Sequence, residues 1–205
     1  LIDNEVYFFD WSGRMLTGWY AFRGSWYYLD PSGALHKGEL STSSGTYMLD
    51  ENTGAMFVGW KQEGTGWRYY KPDGARAYGW TAVGSNWYYL DPASGIMQTG
   101  QQTIKGKTYL LYSSGEMASG WVKDESGWRY YGADGARVGG WAKIGGEWYY
   151  LDPQTGVMKS GRLSINGVTY FLAASGHVQY GWYAHNGNWF YLHPSDGAML
   201  TTWVA

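Results

Sequence analysis

The sequence has no cysteine, few charged residues and no long hydrophobic run. Without cysteine the chain has no disulfide scaffold, no thiolate metal site and no cysteine nucleophile. Its 15 basic residues do not outnumber its 17 acidic ones, so the positive surplus typical of nucleic-acid-binding proteins is missing. No apolar stretch approaches the roughly 20 residues that span a bilayer, so we expect no membrane insertion. A cysteine-free chain fits the cytosol and equally the exterior of a Gram-positive cell, which leaves the compartment open.

Aromatic residues and glycine are what the chain has in excess. Aromatics make up 20% of the 205 residues, with 14 Trp and 20 Tyr, and glycine occurs 32 times. Because disordered chains are poor in aromatic residues, this composition indicates a folded protein. The chain begins at Leu1 without a signal segment, and we expect it to be a piece of a longer protein.

One glycine recurs every 20 or 21 residues and divides the chain into similar units. Its positions are 18, 38, 59, 79, 100, 120, 140, 161 and 181. We predict a single repeat module over 1–205, with units at roughly 1–17, 18–37, 38–58, 59–78, 79–99, 100–119, 120–139, 140–160, 161–180 and 181–202, and the next unit starting at 203–205.

Each unit has the pattern of a β-hairpin. Trp26, Tyr27, Tyr28 and Leu29 are strong strand formers, and the sequence 30–33 that follows them (DPSG) is a turn signal. No segment shows helical periodicity over ten or more residues. Because an isolated hairpin is only marginally stable, we predict an all-β solenoid of about ten stacked hairpins.

Three unit types alternate, and units of one type recur every 61 residues, as from Gly18 to Gly79 to Gly140. The first type carries GW and WYYLDP, the second lacks both Trp, and the third carries WRYY and DGAR. If units of one type share a direction in space, three hairpins complete one turn; a recent tandem duplication would give the same pattern without geometric meaning.

The motif GW-x(5–7)-WYYLDP-x-SG-x-M-x-x-G resembles the choline-binding, or cell-wall-binding, repeat family over essentially the whole chain. Related repeats occur in glucan-binding tails of glucansucrases and in tails of clostridial toxins, and the second unit type (INGVTYFLAASGHVQYG) is similar to those. The resemblance implies a left-handed superhelix with three hairpins per turn. It also implies a secreted module at the Gram-positive cell wall or cell surface, joined to a catalytic or adhesin domain.

In that family a ligand pocket combines the Trp of GW, the middle aromatic of the triplet, an aromatic of the following hairpin and a Met. The resemblance therefore implies three aromatic cages and one half-site that bind choline. Their residues are Trp19, Tyr27, Tyr47 and Met56; Trp80, Tyr88, Tyr109 and Met117; Trp141, Tyr149 and Tyr170, with Val178 at the Met position; and Trp182 with Phe190.

The other unit types depart from this pattern. In the third type, Arg68 or Arg129 takes the middle aromatic position, and arginine also replaces Met. The crevices at Trp60 and Trp121 are therefore expected to be filled by the chain's own side chains or to be specialised for a different ligand. For Arg68 and Arg129 we expect a stacking or salt-bridging surface role, with Asp73 and Asp134 as possible partners. In the second type, Glu39, Gln101 and Arg162 replace the Trp of GW, which excludes a cage there.

The first and third residues of each first-type triplet are predicted to be core. This set comprises Trp26, Tyr28, Trp87, Tyr89, Trp148 and Tyr150. Catalysis has no support, because the four histidines take non-equivalent repeat positions and no carboxylate pair has the placement of a general acid and base. We expect no cofactor and no metal.

The predicted function is a non-catalytic module that recognises choline on teichoic or lipoteichoic acid. The alternative is recognition of an α-glucan or a host glycan, because aromatic platforms also stack on sugars. A third possibility is a rigid stalk without a ligand. The sequence leaves open the ligand, the other domain, the organism and the oligomeric state.

Overall fold

The computed structural model describes residues 5–201, and within this range the chain is all β. Eighteen strands of five residues pair into nine antiparallel hairpins in the described part of the chain. In chain order they are β1 Gly18–Phe22, β2 Ser25–Leu29, β3 Gly38–Thr42, β4 Gly45–Leu49, β5 Gly59–Glu63, β6 Gly66–Tyr70, β7 Gly79–Val83, β8 Asn86–Leu90, β9 Gly100–Ile104, β10 Lys107–Leu111, β11 Gly120–Asp124, β12 Gly127–Tyr131, β13 Gly140–Ile144, β14 Glu147–Leu151, β15 Gly161–Ile165, β16 Val168–Leu172, β17 Gly181–His185 and β18 Asn188–Leu192.

Each hairpin begins at the recurring glycine and closes through a two-residue loop. In the first hairpin Phe22 pairs with Ser25, and the loop residues Arg23 and Gly24 have φ of 50° and 83°. Positive φ at both positions is the type I′ turn, whose twist matches that of the flanking strands. The length of the loop fixes the register of the two strands, and in the first hairpin it places Trp19 directly opposite Tyr28.

The hairpins form two compact units. The first holds β1–β8 together with Ser113–Glu116, and the second holds β9–β18. Within each unit, the segment that follows one hairpin forms backbone hydrogen bonds with the second strand of the previous hairpin in the chain. The Met56 N–H donates to the Trp26 carbonyl at 2.7 Å, and the Met158 N–H donates to the Trp128 carbonyl at 2.8 Å. These bonds satisfy part of each strand edge and set the spacing between neighbouring hairpins.

The core is a row of residues that end the second strand of each hairpin. Burying one leucine of this kind contributes about 1.5–3 kcal/mol, which the isolated hairpins lack. The fully or almost fully buried members are Leu29, Leu49, Tyr70 and Leu90 in the first unit and Leu111, Tyr131, Leu151, Leu172 and Leu192 in the second.

The all-β prediction, with one hairpin for each glycine-bounded unit from Gly18 onward, is confirmed. Residues 5–17 contribute isolated bridges, such as Phe9 with Met15, rather than a two-stranded hairpin. The handedness of the superhelix and the number of hairpins per turn stay predictions. The expected start of a further unit at Trp203 lies outside the described residues.

Candidate functional site

Strand register decides which aromatic side chains share a face of each hairpin. Trp19 lies directly opposite Tyr28, and Ala21 lies opposite Trp26. Directly opposed residues point to the same side of a two-stranded sheet, so Trp19, Trp26 and Tyr28 share one face. Tyr27 is opposite Tyr20 and lies on the other face.

The first unit contains an aromatic pocket of about 330 Å³ at this face. Its rings come from two successive hairpins, with the Trp19 and Tyr47 centroids 4.7 Å apart at 64°. The two rings meet edge to face, which is a preferred geometry for aromatic pairs. The lining residues are Trp19, Trp26, Ser44, Tyr47, Met56, Pro72 and Asp73.

The second unit repeats the arrangement twice, in pockets of about 310 and 320 Å³. The ring centroids of Trp141 and Tyr170 are 4.7 Å apart, and those of Trp121 and Tyr149 are 5.0 Å apart. One pocket is lined by Trp141, Trp148, Tyr170, Val178, Ser195 and Asp196, and the other by Trp121, Trp128, Tyr149, Met158, Ala174 and Ser175.

A further pair in the first unit has the same ring geometry. Trp60 and Tyr88 lie 4.9 Å apart at 63°. The Tyr88 hydroxyl donates to Glu116 at 3.3 Å, and the Asn86 side chain donates to the same carboxylate at 3.0 Å. Burial, followed by the Glu116 charge, raises the pKa of Tyr88 above its ordinary value.

The structure places the middle tyrosines of the first unit type in other crevices than the predicted ones. Tyr27 lies 5.8 Å from Phe8, Tyr88 meets Trp60, and Tyr149 meets Trp121. A middle tyrosine therefore belongs to the crevice with the preceding repeat unit, because it lies on the face opposite the Trp of GW. The ligand-binding role of these tyrosines stays a prediction.

The first Trp of each first-type triplet is not core, contrary to expectation. Trp26 is 49% exposed, Trp87 is 48% exposed and Trp148 is 39% exposed. Trp26 and Trp148 line pockets, as does Trp128 of a third-type unit. The third triplet residues Tyr28, Tyr89 and Tyr150 are half-buried against the Trp of their own hairpin. The two-residue loop sets the strand register, and this register indicates that Trp26 lies on the same face as Trp19.

Arg68 and Arg129 take the expected salt-bridging role, but with other partners than the predicted ones, and neither lines the pocket at Trp121. The Arg68 Nε donates to the Ser94 carbonyl at 3.0 Å, and its guanidinium pairs with Glu63 at 3.1 Å. Arg129 likewise donates to the Thr155 carbonyl at 2.9 Å and pairs with Asp124. The expected partners are taken by lysines, since Lys71 pairs with Asp73 and Lys107 with Asp134.

Charged side chains fill the crevice that begins at Glu39, where the Trp of GW is missing. Arg76 pairs with Glu39 and donates to the Tyr70 hydroxyl oxygen at 3.2 Å. The Tyr70 hydroxyl donates to Glu63 at 3.0 Å. Burial raises the pKa of Tyr70 to about 12. A cation of the protein thus sits where a ligand cation would have to enter.

The remaining predicted site residues lie as follows. Trp80 is on β7 of the first unit, with its ring 5.1 Å from Tyr89. Tyr109, a buried residue, and Met117 belong to the second unit. Trp182 is 70% exposed on β17, and Phe190 packs on the other face of that hairpin, 5.0 Å from Phe171. Trp182 and Phe190 therefore do not share one crevice.

The described residues contain no group of three or more His, Asp or Glu side chains placed to ligate a metal. Within 5–201 there is also no helix with the length and apolar character needed to cross a membrane.

The sequence profile of the choline-binding repeat matches residues 1–39, 57–99, 98–138, 127–163 and 160–202. The chain belongs to the choline-binding repeat family. CbpJ of Streptococcus pneumoniae is similar at 32% identity, with 97% of this chain and 86% of that chain covered and a TM-score of 0.84. CbpF of the same species, solved with a peptidoglycan analogue, is similar at 31% identity, with coverages of 99% and 86% and a TM-score of 0.83.

The choline-binding domain of CbpL from Streptococcus pneumoniae is also similar to this choline-binding repeat chain. It is 26% identical, with 92% of this chain and 100% of that domain covered and a TM-score of 0.60. Among proteins with curated descriptions, none matches this sequence.

Proposed function

We propose that this chain is a non-catalytic module that binds choline on teichoic or lipoteichoic acid and anchors a larger secreted protein to the cell wall. The observation that supports this proposal most directly is the aromatic pocket of Trp19, Tyr47 and Met56, with Trp26 at its side. Its volume of about 330 Å³ exceeds what a trimethylammonium group needs and leaves room for the rest of the ligand.

The chemistry of the pocket suits a quaternary ammonium group. Such a group has no N–H donor, so it is held by apolar contact and by the negative faces of aromatic rings. Each ring contributes about 0.5–1 kcal/mol at an exposed site and about 2 kcal/mol when water is excluded. The polarizable Met56 sulfur adds an apolar floor without a competing positive charge.

Repetition of the pocket supports an anchoring role. Pockets at Trp121 and Trp141 resemble the Trp19 pocket, so one chain offers several similar sites. A wall polymer presents many copies of its ligand, and engagement of several sites raises avidity by roughly 10²–10⁴ over one site. Membership of the choline-binding repeat family, and the CbpF structure solved in the presence of a peptidoglycan analogue, support a cell-wall ligand.

Calorimetric titration with choline tests the proposal, with ethanolamine as the ligand that lacks the methyl groups. We expect heat of binding with choline and none with ethanolamine. The triple variant Trp19→Ala, Trp121→Ala, Trp141→Ala should lose most of this heat. Trp11→Ala is the matched control, because Trp11 is 100% exposed and lines none of these pockets.

Failure to bind choline at tens of millimolar would contradict the proposal. Retention on dextran in that case would instead favour the glycan-binding alternative, for which the polar rim residues Ser44 and Ser195 could serve as partners of sugar hydroxyls. Circular dichroism of each variant separates a lost site from a lost fold.

A further inference from the structure

One of the differences between the linings of the aromatic pockets changes a charge. The residue that differs precedes the turn glycine of a neighbouring hairpin, and it is Asp73 in the Trp19 pocket and Asp196 in the Trp141 pocket. In the Trp121 pocket the same turn position holds Ser175. The lining of that pocket contains no carboxylate among the described residues.

Hydrogen bonds within the turn hold these carboxylates in place, and the side chains stay exposed to solvent. Asp73 accepts from the Ala75 N–H at 2.9 Å, and Asp196 accepts from the Ala198 N–H at 3.0 Å. Their side chains remain 67% and 62% exposed. Asp73 lies 3.6 Å from Lys71 and Asp196 lies 3.3 Å from His193, and both of these partners are partly exposed. A charged oxygen is therefore held beside a ring-lined pocket.

We propose that Asp73 and Asp196 are specificity-determining residues, which make their two pockets prefer a cationic ligand over a neutral one of the same shape. The inference rests on the proposed choline-binding function and divides its pockets into two classes. The Trp121 pocket, with Ser175 at its mouth, binds by its rings and sulfur alone.

The size of the effect follows from exposure. An ion pair at a solvent-exposed position changes an equilibrium constant by about two- to fivefold. Added salt reduces this contribution, because exposed charges are screened within about 10 Å at 0.1 M ionic strength. The ring contribution of all three pockets is much less sensitive to salt, since it arises from contacts inside the pocket.

Site-resolved titration tests this inference. The indole N–H resonances of Trp19, Trp121 and Trp141, assigned with single Trp→Phe variants, are followed by NMR as choline is added. A second titration uses the neutral carbon analogue of choline, in which carbon replaces the ammonium nitrogen. The variants are Asp73→Asn and Asp196→Asn, which keep the oxygen that accepts the turn hydrogen bond, and Ser175→Asp, which installs the carboxylate.

We expect Asp73→Asn and Asp196→Asn to weaken choline binding about two- to fivefold at Trp19 and Trp141, respectively, and to leave the neutral analogue unchanged. Ser175→Asp should strengthen choline binding at Trp121 by a similar factor. Equal choline affinity in wild-type protein and all variants would overturn the inference while the proposed function stands. Absence of choline binding in the wild-type protein would overturn both.

Discussion

Two neighbouring crevices of the first unit are lined by different kinds of side chain, one by aromatic rings and the other by charged groups. Between the first and second hairpins, Trp19 and Tyr47 form a ring-lined pocket above Met56. Between the second and third hairpins, the crevice is filled by Arg76 paired with Glu39 and bonded to Tyr70. The second hairpin takes part in both crevices, and only the side chains at its faces differ.

Met56 and Arg76 take equivalent positions in successive repeat units. The Met56 side chain fills the space in front of Gly74, where any Cβ would overlap it, and the Arg76 stem does the same in front of Gly95. Met56 gives the aromatic pocket an uncharged lining, whereas Arg76 places a positive charge in the neighbouring crevice. A guanidinium in a crevice repels a cationic ligand, so we expect choline to enter the aromatic crevice and not the charged one.

The largest expected effect comes from the core residue of the hairpin that both crevices share. Leu49 is fully buried, and Leu49→Ala should lower the free energy of unfolding by about 2–5 kcal/mol. Urea denaturation measures the loss, with Val58→Ala as control because Val58 is half-exposed. A loss no larger than that of the control would show that the crevices, rather than the buried row, stabilise the unit.

A smaller effect is expected in the charged crevice. Tyr70→Phe removes the hydroxyl that bonds Glu63 and Arg76, and should lower the free energy of unfolding at neutral pH by about 1–3 kcal/mol. The choline response at Trp19 should be unchanged. The exposed tyrosine variant Tyr78→Phe is the control.

The pH dependence of the same variant carries a definite sign. Burial raises the folded-state pKa of Tyr70 from 10.0 to about 12. The folded state therefore holds this proton more tightly than the unfolded state. The contribution of Tyr70 to stability is fully present below pH 10.0 and is lost as the pH rises through about 12. Denaturation curves in this window should show a smaller difference between wild type and Tyr70→Phe; a constant difference would contradict the burial of a neutral phenol.

The smallest of these effects is expected at the floor of the aromatic pocket. Met56→Ala removes apolar contacts with the ligand while the rings of Trp19 and Tyr47 remain, so choline binding should weaken only about two- to tenfold at that pocket. Indole resonances of Trp121 serve as the internal control, since its pocket has Met158 instead. A complete loss of choline binding at Trp19 would mean that Met56 is needed to hold the pocket open, and not only to contact the ligand.

The hairpins were predictable because their signals are local. A strand of aromatic residues, a Gly-containing turn and a constant spacing determine each unit without long-range information. The pairing of Trp19 with Tyr47 and Met56 was available from the family resemblance. The assignment of Tyr27 to that pocket failed because the face of a residue depends on register, and register depends on the two-residue loop at Arg23 and Gly24.

The crevice contents of the third-type units were harder to predict for a physical reason. Arg68 is adjacent in sequence to Trp67 but points to the opposite face, where it reaches the Ser94 carbonyl of a later turn. Contacts between residues 26 positions apart depend on how hairpins stack. The sequence alone does not give this stacking, so it favours a role for Arg68 in the crevice at Trp60 of its own hairpin.

A crystal structure of the protein soaked in choline tests the central claim most directly. The account predicts density for the trimethylammonium group against Trp19 and Tyr47 above Met56, and none beside Glu39 and Arg76. Density in the charged crevice, or an aromatic crevice that stays without ligand at saturating choline, would contradict it.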